Sequence, residues 1–413
     1  MTRLLLTGNA AAAWGARLAH ADYVPAFPIT PQTEIIDTLA GWIESGAMPG
    51  RLTMMESEHS MLTAACAAAA AGVRVFTATS SQGLLYAMEM VYAAPGLRNP
   101  FVLVNVSRGV QTPVTIQSDH TDVLAARDSG FLQLHCASCQ EVADSVLLAY
   151  RLAERVRLPA IVNLDGFTLS FTREPVELPD AQEAARFLPP LAEAFGTTAR
   201  PFSAGRSLAA GAAVLDSTAY TYFRYQSHLA AVAALQAWEE VSDTFAEQFG
   251  RRYDGVEAYR MDDAEYVFFL TGALAGKARG VVDRLRAAGC PAGLLRPRLL
   301  RPWPEAALRQ WLRGRRAVMV VDQSLSMGKG GVLHGELASS LYGQPGAPLL
   351  LSFIGGLGGR EIAAGELHEM ATVARRAAEA GEAPPPRLLF TAGELRVVRK
   401  QQALAQVAEE EKR

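Results

Sequence analysis

Short apolar runs recur along the first 175 or so residues of this chain, separated by segments with helical spacing. Leu4-Leu5-Leu6 leads into Gly8-Asn9 and an alanine-rich stretch, which predicts a strand, a glycine turn and a helix. Further strands are predicted over 72–79 (GVRVFTAT), 100–106 (PFVLVNV) and 159–164 (PAIVNL). These runs are mostly apolar and rich in β-branched residues, the pattern of strands buried on both faces. Strands of that kind alternating with helices predict an α/β fold with a parallel sheet.

Beyond residue 167 the pattern changes. Pro175, Pro179, Pro189, Pro190 and Pro201 mark a meandering connector, and a helical stretch follows from about Ser227 to Gly250. Alternation then resumes with strands predicted over 265–270, 317–321 and 349–354, and a helix running through Val281 to Ala288. The chain therefore divides into a first domain with its connector over 1–240, a smaller second α/β domain over 260–375, and a charged tail over 376–413. The helix-prone end from Arg396 is expected to be solvated.

Composition narrows the function. Half of the residues are hydrophobic and a fifth are charged, so the chain buries real cores. A net charge of −3 and a pI near 6.2 lack the concentrated basic field that nucleic acid or an anionic membrane surface requires. No run approaches the roughly 20 apolar residues of a membrane span, and the N-terminus lacks a signal-peptide pattern, so a cytoplasmic location is expected. Of the four cysteines only Cys136 and Cys139 have metal-like spacing; a lone C-x-x-C is a weak signal, and no metal site is expected within this chain.

In parallel α/β sheets, ligands bind beyond the carboxyl ends of the strands. Four segments stand out there or near there: 27–34 (FPITPQTE), 56–60 (ESEHS), 77–83 (TATSSQG), and 106–109 (VSRG) with its continuation 117–120 (QSDH). Each also fits an ordinary role. Thr30-Pro31 suits a helix start, with threonine as N-cap. Glu58 suits a first helical turn, Thr79-Ser80-Ser81 a cap, Arg108 the surface, and 119–122 (DHTD) a polar loop. Together they form an acid, an arginine, a threonine and a hydroxyl-rich turn, a set suited to a carboxylate-bearing substrate. The G-x-S-x-G, H-E-x-x-H and P-loop patterns are absent, and the glycine clusters at 328–331 and 355–359 read as tight turns.

At these residues the chain resembles a known family. GNAAAAWGA, FPITPQTEI, ESEHSM, TATSSQGL, SDHTDVLAARDSG, FRYQSH, GLLRPRLLRPWPE, VVDQSLSMGKGGVL and FIGGLGGREI are similar, in order from about residue 8 to 362, to the alpha chain of pyruvate:ferredoxin oxidoreductases and their 2-oxoacid relatives. The resemblance implies a pyrimidine-type thiamine-diphosphate domain joined to a transketolase C-terminal-like domain. It also implies oxidative decarboxylation of a 2-oxoacid with coenzyme A to an acyl-CoA. No Gly-Asp-Gly with a downstream Asn occurs, in keeping with a beta-type partner that carries the diphosphate and Mg²⁺. Iron–sulfur clusters of the 4Fe-4S type are expected in partner chains, among them gamma-type and ferredoxin-like delta-type subunits, with ferredoxin or an NAD-linked carrier as acceptor.

Carried over by position, Glu58 matches the glutamate that hydrogen-bonds the aminopyrimidine ring. Thr30 and Arg108 match residues near the substrate's carbonyl and carboxylate, and Ser81 and Gln82 are the further expected cofactor contacts. The second domain is implied to serve assembly. Ser107-Arg108 stands where pyruvate-specific chains commonly read Asn-Arg, and Asp322-Gln323-Ser324 departs from Asp-Arg-Asn. Phenylglyoxylate, a branched-chain 2-oxoacid or oxalate is therefore considered beside pyruvate. Two other readings stand against this one. A non-catalytic assembly subunit is opposed by the intact Thr30, Glu58 and Arg108, and another thiamine enzyme would show neither coenzyme A dependence nor iron–sulfur partners.

Overall fold

The computed structural model describes residues 2–191 and 213–410; Pro201 of the connector and the tail beyond 410 lie outside them. A parallel sheet forms the first domain, built on β4 (Phe76–Thr79), β5 (Val102–Ser107), β6 (Leu132–His135) and β7 (Ala160–Asp165), in the order β6-β7-β5-β4. Every residue of these strands is buried, as the mostly apolar runs over 72–79, 100–106 and 159–164 predict for β4, β5 and β7; β6, with Gln133 and His135 among its four residues, carries no such run. The strand expected over 72–79 begins only at Phe76, because Gly72 takes a positive φ of 80° and turns the chain first.

Beyond β4 lie β2 (Tyr23–Ala26) and β3 (Arg51–Met54), a parallel pair that the apolar pattern does not reveal. They join the sheet through a bridge from Tyr23 to Val75 and through the Thr77 hydroxyl, which donates to the Pro25 carbonyl at 2.8 Å. Pro25 has no N–H to give a ladder, so a side chain completes the seam. The 4–6 strand is real but does not belong to the parallel sheet. β1 (Thr2–Thr7) pairs antiparallel with β8 (Arg173–Leu178), and its burial alternates because one face is open.

The alanine-rich helix Gly8–Leu18 is small-sided for a packing reason. It lies against the helix Cys139–Val156 so closely that a Cβ on Gly15 would sit 2.6 Å from the Val146 Cβ. The long helix Ser217–Phe249 starts ten residues earlier than the predicted stretch and caps on the Asp216 carboxylate. Its later half buries Trp238, Val241, Phe245 and Phe249 on the first domain.

In the second domain, β10 (Tyr266–Phe269), β13 (Ala317–Asp322) and β14 (Leu349–Ile354) appear where predicted. β11 (Ala292–Pro297), the antiparallel β9 (Val256–Tyr259) and the short β15 (Arg387–Leu388) complete the order β15-β14-β13-β10-β11-β9. The helix before β11 spans Leu274–Ala287, and the tail forms a helix over Ala392–Glu410. Leu395, Val397 and Leu404 of that helix are exposed, while Arg360 pairs with Glu394 at its start.

The two domains are joined by a shared strand and a buried charge cluster. β12 (Leu299–Arg301) leaves the second domain to pair antiparallel with β6 at the edge of the first sheet. Just before it, Arg296, 1% exposed, donates to both Glu141 oxygens at 2.8 and 3.0 Å, to Glu257 at 2.5 Å and to the His135 carbonyl at 2.9 Å. Arg298 adds bonds to Glu141 and to the Asp254 carbonyl. Two neighbouring arginines and two carboxylates satisfy one another there, which is what makes burial of the charges tolerable. Apolar packing continues across the same junction, where Val123 and Phe131 share a cluster with Leu300, Leu308 and Leu333.

Burial alone would raise the Glu141 carboxyl above its ordinary value of 4.5, but Arg296 and Arg298 hold it down at about 2. Its folded value lies below its unfolded one, so its contribution to stability is complete above pH 4.5 and is lost as pH falls toward about 2. Glu141→Gln is expected to cost about 3–5 kcal/mol, because two buried arginines lose their shared partner. Denaturant unfolding at pH 7 measures the loss, and at pH 2 the difference from the native chain should shrink; equal unfolding midpoints at pH 7 would rule out the lock.

Candidate active site

The carboxyl ends of β2, β3, β4 and β5 open onto one edge of the first sheet, and each delivers one of the residues singled out from the sequence. Past β3, Ser57 caps the helix Glu58–Ala70 by accepting from the Ser60 N–H. Glu58 therefore stands in the first helical turn and is also buried, at 6% exposure, so its ordinary role and its site role coincide. A Cβ on Gly83 would meet Glu58 Oε1 at 2.6 Å and Thr79 Oγ1 at 2.5 Å, so the turn after β4 lies directly over the carboxylate. Only glycine permits that approach.

Thr79-Ser80-Ser81 does not cap the following helix with its hydroxyls. Ser81 takes φ +50° and ψ −120°, and its Oγ lies 2.8 Å from the Gly109 carbonyl and 2.6 Å from Gln82 Oε1, which share its one proton. A non-glycine residue in that conformation costs on the order of 1–3 kcal/mol and persists only when its surroundings enforce it. The Thr79 and Ser80 hydroxyls are buried and have no partner among the described residues.

Arg108 follows β5 and is nearly buried. One terminal nitrogen donates to the Thr30 carbonyl at 2.5 Å, the other to Gln82 Oε1, and its Nε has no partner among the described residues. Burial lowers its pKa, and nearby Asp122 offsets part of that effect. Thr30 is itself exposed and is not a helix cap: the next helix begins at Thr33. Its loop is fixed by Asn9 Nδ2 donating to the Pro31 carbonyl at 2.9 Å and Gln32 Nε2 to the Phe27 carbonyl at 2.8 Å. Arg108, Thr30, Ser81 and Gln82 thus form one hydrogen-bonded group, with Glu58 reached across Gly83.

Asp122, within the segment read as a polar loop, lies fully buried behind this group and was not recognised from the sequence. The apolar Val123-Leu124 directly after it was the available signal, since it places the acid on an inward-facing turn. Nearby His120 bonds Asp165 at 2.5 Å, and Asp165 accepts from the Ala273 N–H of the second domain at 2.6 Å. Burial alone would depress the His120 pKa, but Asp165 holds it above the ordinary value. Cys136 and Cys139 are buried thiols that burial pushes up, Cys139 to about 12; among the described residues no group of His, Cys, Asp and Glu is arranged to hold a metal ion. No described helix is long and apolar enough to cross a membrane.

A cleft of about 520 Å³ opens beside the group, between the 109–115 loop and Leu325, Met327 and Leu357 of the second domain. The residues around Glu58 suit a flat heteroaromatic ring with polar edges. A glycine lets the turn close on the carboxylate without a Cβ between them, and buried hydroxyls at 79 and 80 and the arginine Nε are left to be satisfied.

Comparison with known proteins agrees with this arrangement. Residues 14–242 match the family model described as pyruvate flavodoxin/ferredoxin oxidoreductase, thiamine diphosphate-binding, and 264–367 match pyruvate:ferredoxin oxidoreductase core domain II. Pyruvate synthase subunit PorA of Methanothermobacter thermautotrophicus is 39% identical, over 90% of this chain and 94% of that one. Ketoisovalerate oxidoreductase subunit VorA of Pyrococcus horikoshii is 36% identical over 92% and 95%. The fold is similar to that of a 2-oxoglutarate:ferredoxin oxidoreductase from Magnetococcus marinus, with TM-score 0.69 and 20% identity over 91% of this chain, which spans 65% of the length of that one. A split-gene transketolase aligns with TM-score 0.52 and 13% identity over 89% and 98%. With a thiamine-diphosphate-binding domain, a core domain II and relatives matched over nearly their whole length, the chain belongs to the pyruvate flavodoxin/ferredoxin oxidoreductase family.

Proposed function

We propose that this chain is the alpha-type subunit of a multi-subunit oxidoreductase that decarboxylates a 2-oxoacid with coenzyme A to an acyl-CoA and CO₂. The substrate is pyruvate or a relative such as phenylglyoxylate. We assign 1–240 to the pyrimidine-binding domain with its connector, 260–375 to the body of the transketolase C-terminal-like domain, whose sheet β9 extends from before it, and 376–413 to a tail that adds β15 to the same sheet. The observation that carries the reading is the buried Glu58 carboxylate beneath Gly83, together with buried hydroxyls and an arginine nitrogen that have no partner among the described residues.

Thiamine diphosphate, when bound, supplies the carbon nucleophile and electron sink of the reaction. Glu58 is the residue to hold a proton on the aminopyrimidine edge, and its burial strengthens that bond. Ser81 and Gln82 line the same turn as further cofactor contacts. Arg108 has a guanidinium matched to a carboxylate; it turns from Gln82 and the Thr30 carbonyl to pair with the substrate, and Thr30 lies beside it to donate to developing charge at the carbonyl.

Met54 and Tyr86 stand exposed at 54% and 63% beside this site. Large apolar residues around an incomplete site suit a partner surface. The partners we assign are a beta-type chain with the diphosphate and Mg²⁺, and gamma- and delta-type chains with the iron–sulfur clusters that pass electrons to ferredoxin or an NAD-linked acceptor. Relatives named for pyruvate and for ketoisovalerate match nearly equally well, and the 109–115 loop that lines the cleft is left to select the acyl group.

The test is to co-purify the complex through this chain and assay dye reduction by a panel of 2-oxoacids with thiamine diphosphate, Mg²⁺ and coenzyme A. One acid should give turnover, and a complex inert to all would defeat the proposal. Glu58→Gln in that complex is expected to abolish most turnover without dissociating the chains. Arg108→Leu should raise the KM for the acid, lower kcat, or both, and unchanged kinetics would move the carboxylate site elsewhere. Gly83→Ala should weaken thiamine diphosphate affinity in a titration of the cofactor-free complex, since its methyl group displaces the Glu58 carboxylate.

A further inference from the structure

The strained turn at Ser81 and the buried Arg108 need a group that holds both, and one side chain reaches both backbones. Asp122 Oδ2 accepts from the Ser81 N–H at 3.0 Å, the Arg108 N–H at 3.1 Å and Asn105 Nδ2 at 3.1 Å. Its Oδ1 accepts from Ser107 Oγ at 2.6 Å and from its own neighbour Val123 N–H at 2.7 Å. The carboxylate is fully buried yet has no guanidinium or ammonium in a salt bridge with it among the described residues; donors alone surround it. An apolar residue there would remove the acceptor of three backbone N–H groups, a hydroxyl and an amide hydrogen, all of them buried.

The segment bearing Asp122 is anchored from the other side. The His120 N–H donates to the Gln323 carbonyl at 2.8 Å, the His120 ring to Asp165, and the Gly359 N–H to the Ser118 carbonyl at 2.7 Å. Gln323 and Gly359 lie in loops after β13 and β14 of the second domain. Asp122 is therefore held by the second domain while it holds two strand ends of the first.

We propose that Asp122 is the positioning residue of this site: it sets the backbone of Arg108 and of Ser81-Gln82 in register, and the second domain acts on the site through it. It touches neither substrate nor cofactor. The inference rests on the reading of Arg108 as the carboxylate-binding residue. Asparagine in its place keeps the shape but offers one acceptor oxygen and turns an NH₂ toward donors, which shifts both arms. A displacement of about 1 Å at such a distance is worth about 10²-fold in rate.

The experiment uses the assembled complex with Asp122→Asn, Ser107→Ala and Arg108→Leu in parallel. Asp122→Asn is expected to lower kcat/KM for the 2-oxoacid by about 10²-fold, chiefly through KM, while the KM for coenzyme A and the assembly of the chains are unchanged. A merely structural role would move all of these together, and that result would overturn the proposal. Ser107→Ala removes a single donor to Asp122 and should give a smaller rise in the same KM; it decides the matter should Asp122→Asn not fold, an unchanged KM then overturning the proposal. If Arg108→Leu impairs the enzyme while both other variants match the native complex, positioning by Asp122 fails and the reading of the site stands. If Arg108→Leu also matches, it is the reading of the carboxylate site that falls.

Discussion

The junction of Glu141 with Arg296 and Arg298 is the constraint on which the rest of this molecule turns. A buried carboxylate between two guanidinium groups is stable only if all three stay in place. The chain secures this by sending β12 across to the first sheet three residues after Arg296. Strand pairing fixes the register and the charges fix the approach. The two domains consequently share one apolar cluster and meet with the carboxyl ends of their strands adjoining.

That relation has a consequence for the site. In an open parallel sheet the ligand-binding edge is made of loops, which are mobile unless something ties them. Here the 117–122 segment is tied twice, to the loops after β13 and β14 on one side and to the ends of β4 and β5 on the other. The His120–Asp165 pair lies between these attachments and reaches Ala273 as well. A second domain expected mainly to serve assembly is thus in hydrogen-bonding continuity with the residues proposed to meet the substrate.

Several sequence motifs divide into those that face the site and those that hold it. ESEHS and TATSSQG place Glu58 and Gly83 against each other, a contact between segments about 25 residues apart that needs a glycine at its closest point. GLLRPRLLRPWPE contributes no group to the site; its arginines hold the domains together. FRYQSH lies in the outer half of a long helix, with Tyr225 and Phe223 exposed. Resemblance alone does not distinguish these uses, because a residue retained for packing and one retained for chemistry look the same in a string of letters.

The α/β class was legible in the sequence because strands buried on both faces are mostly apolar, and β5, β7, β10, β13 and β14 are. The family was legible in ordered motifs, and with it Thr30, Glu58, Ser81, Gln82 and Arg108 as candidates. The short β2 and β3 were not, since Pro25 and the half-exposed β3 break the apolar pattern; nor was the antiparallel partner of β1, which is nearly 170 residues away in the chain. Asp122 reads as part of a polar loop until the fold buries it beneath two strand ends. Local patterning records which residues seek the interior and how they are spaced. Which buried acid meets which backbone N–H, and which arginine crosses to the other domain, depends on contacts between distant segments, and those exist only once the sheets have closed on each other.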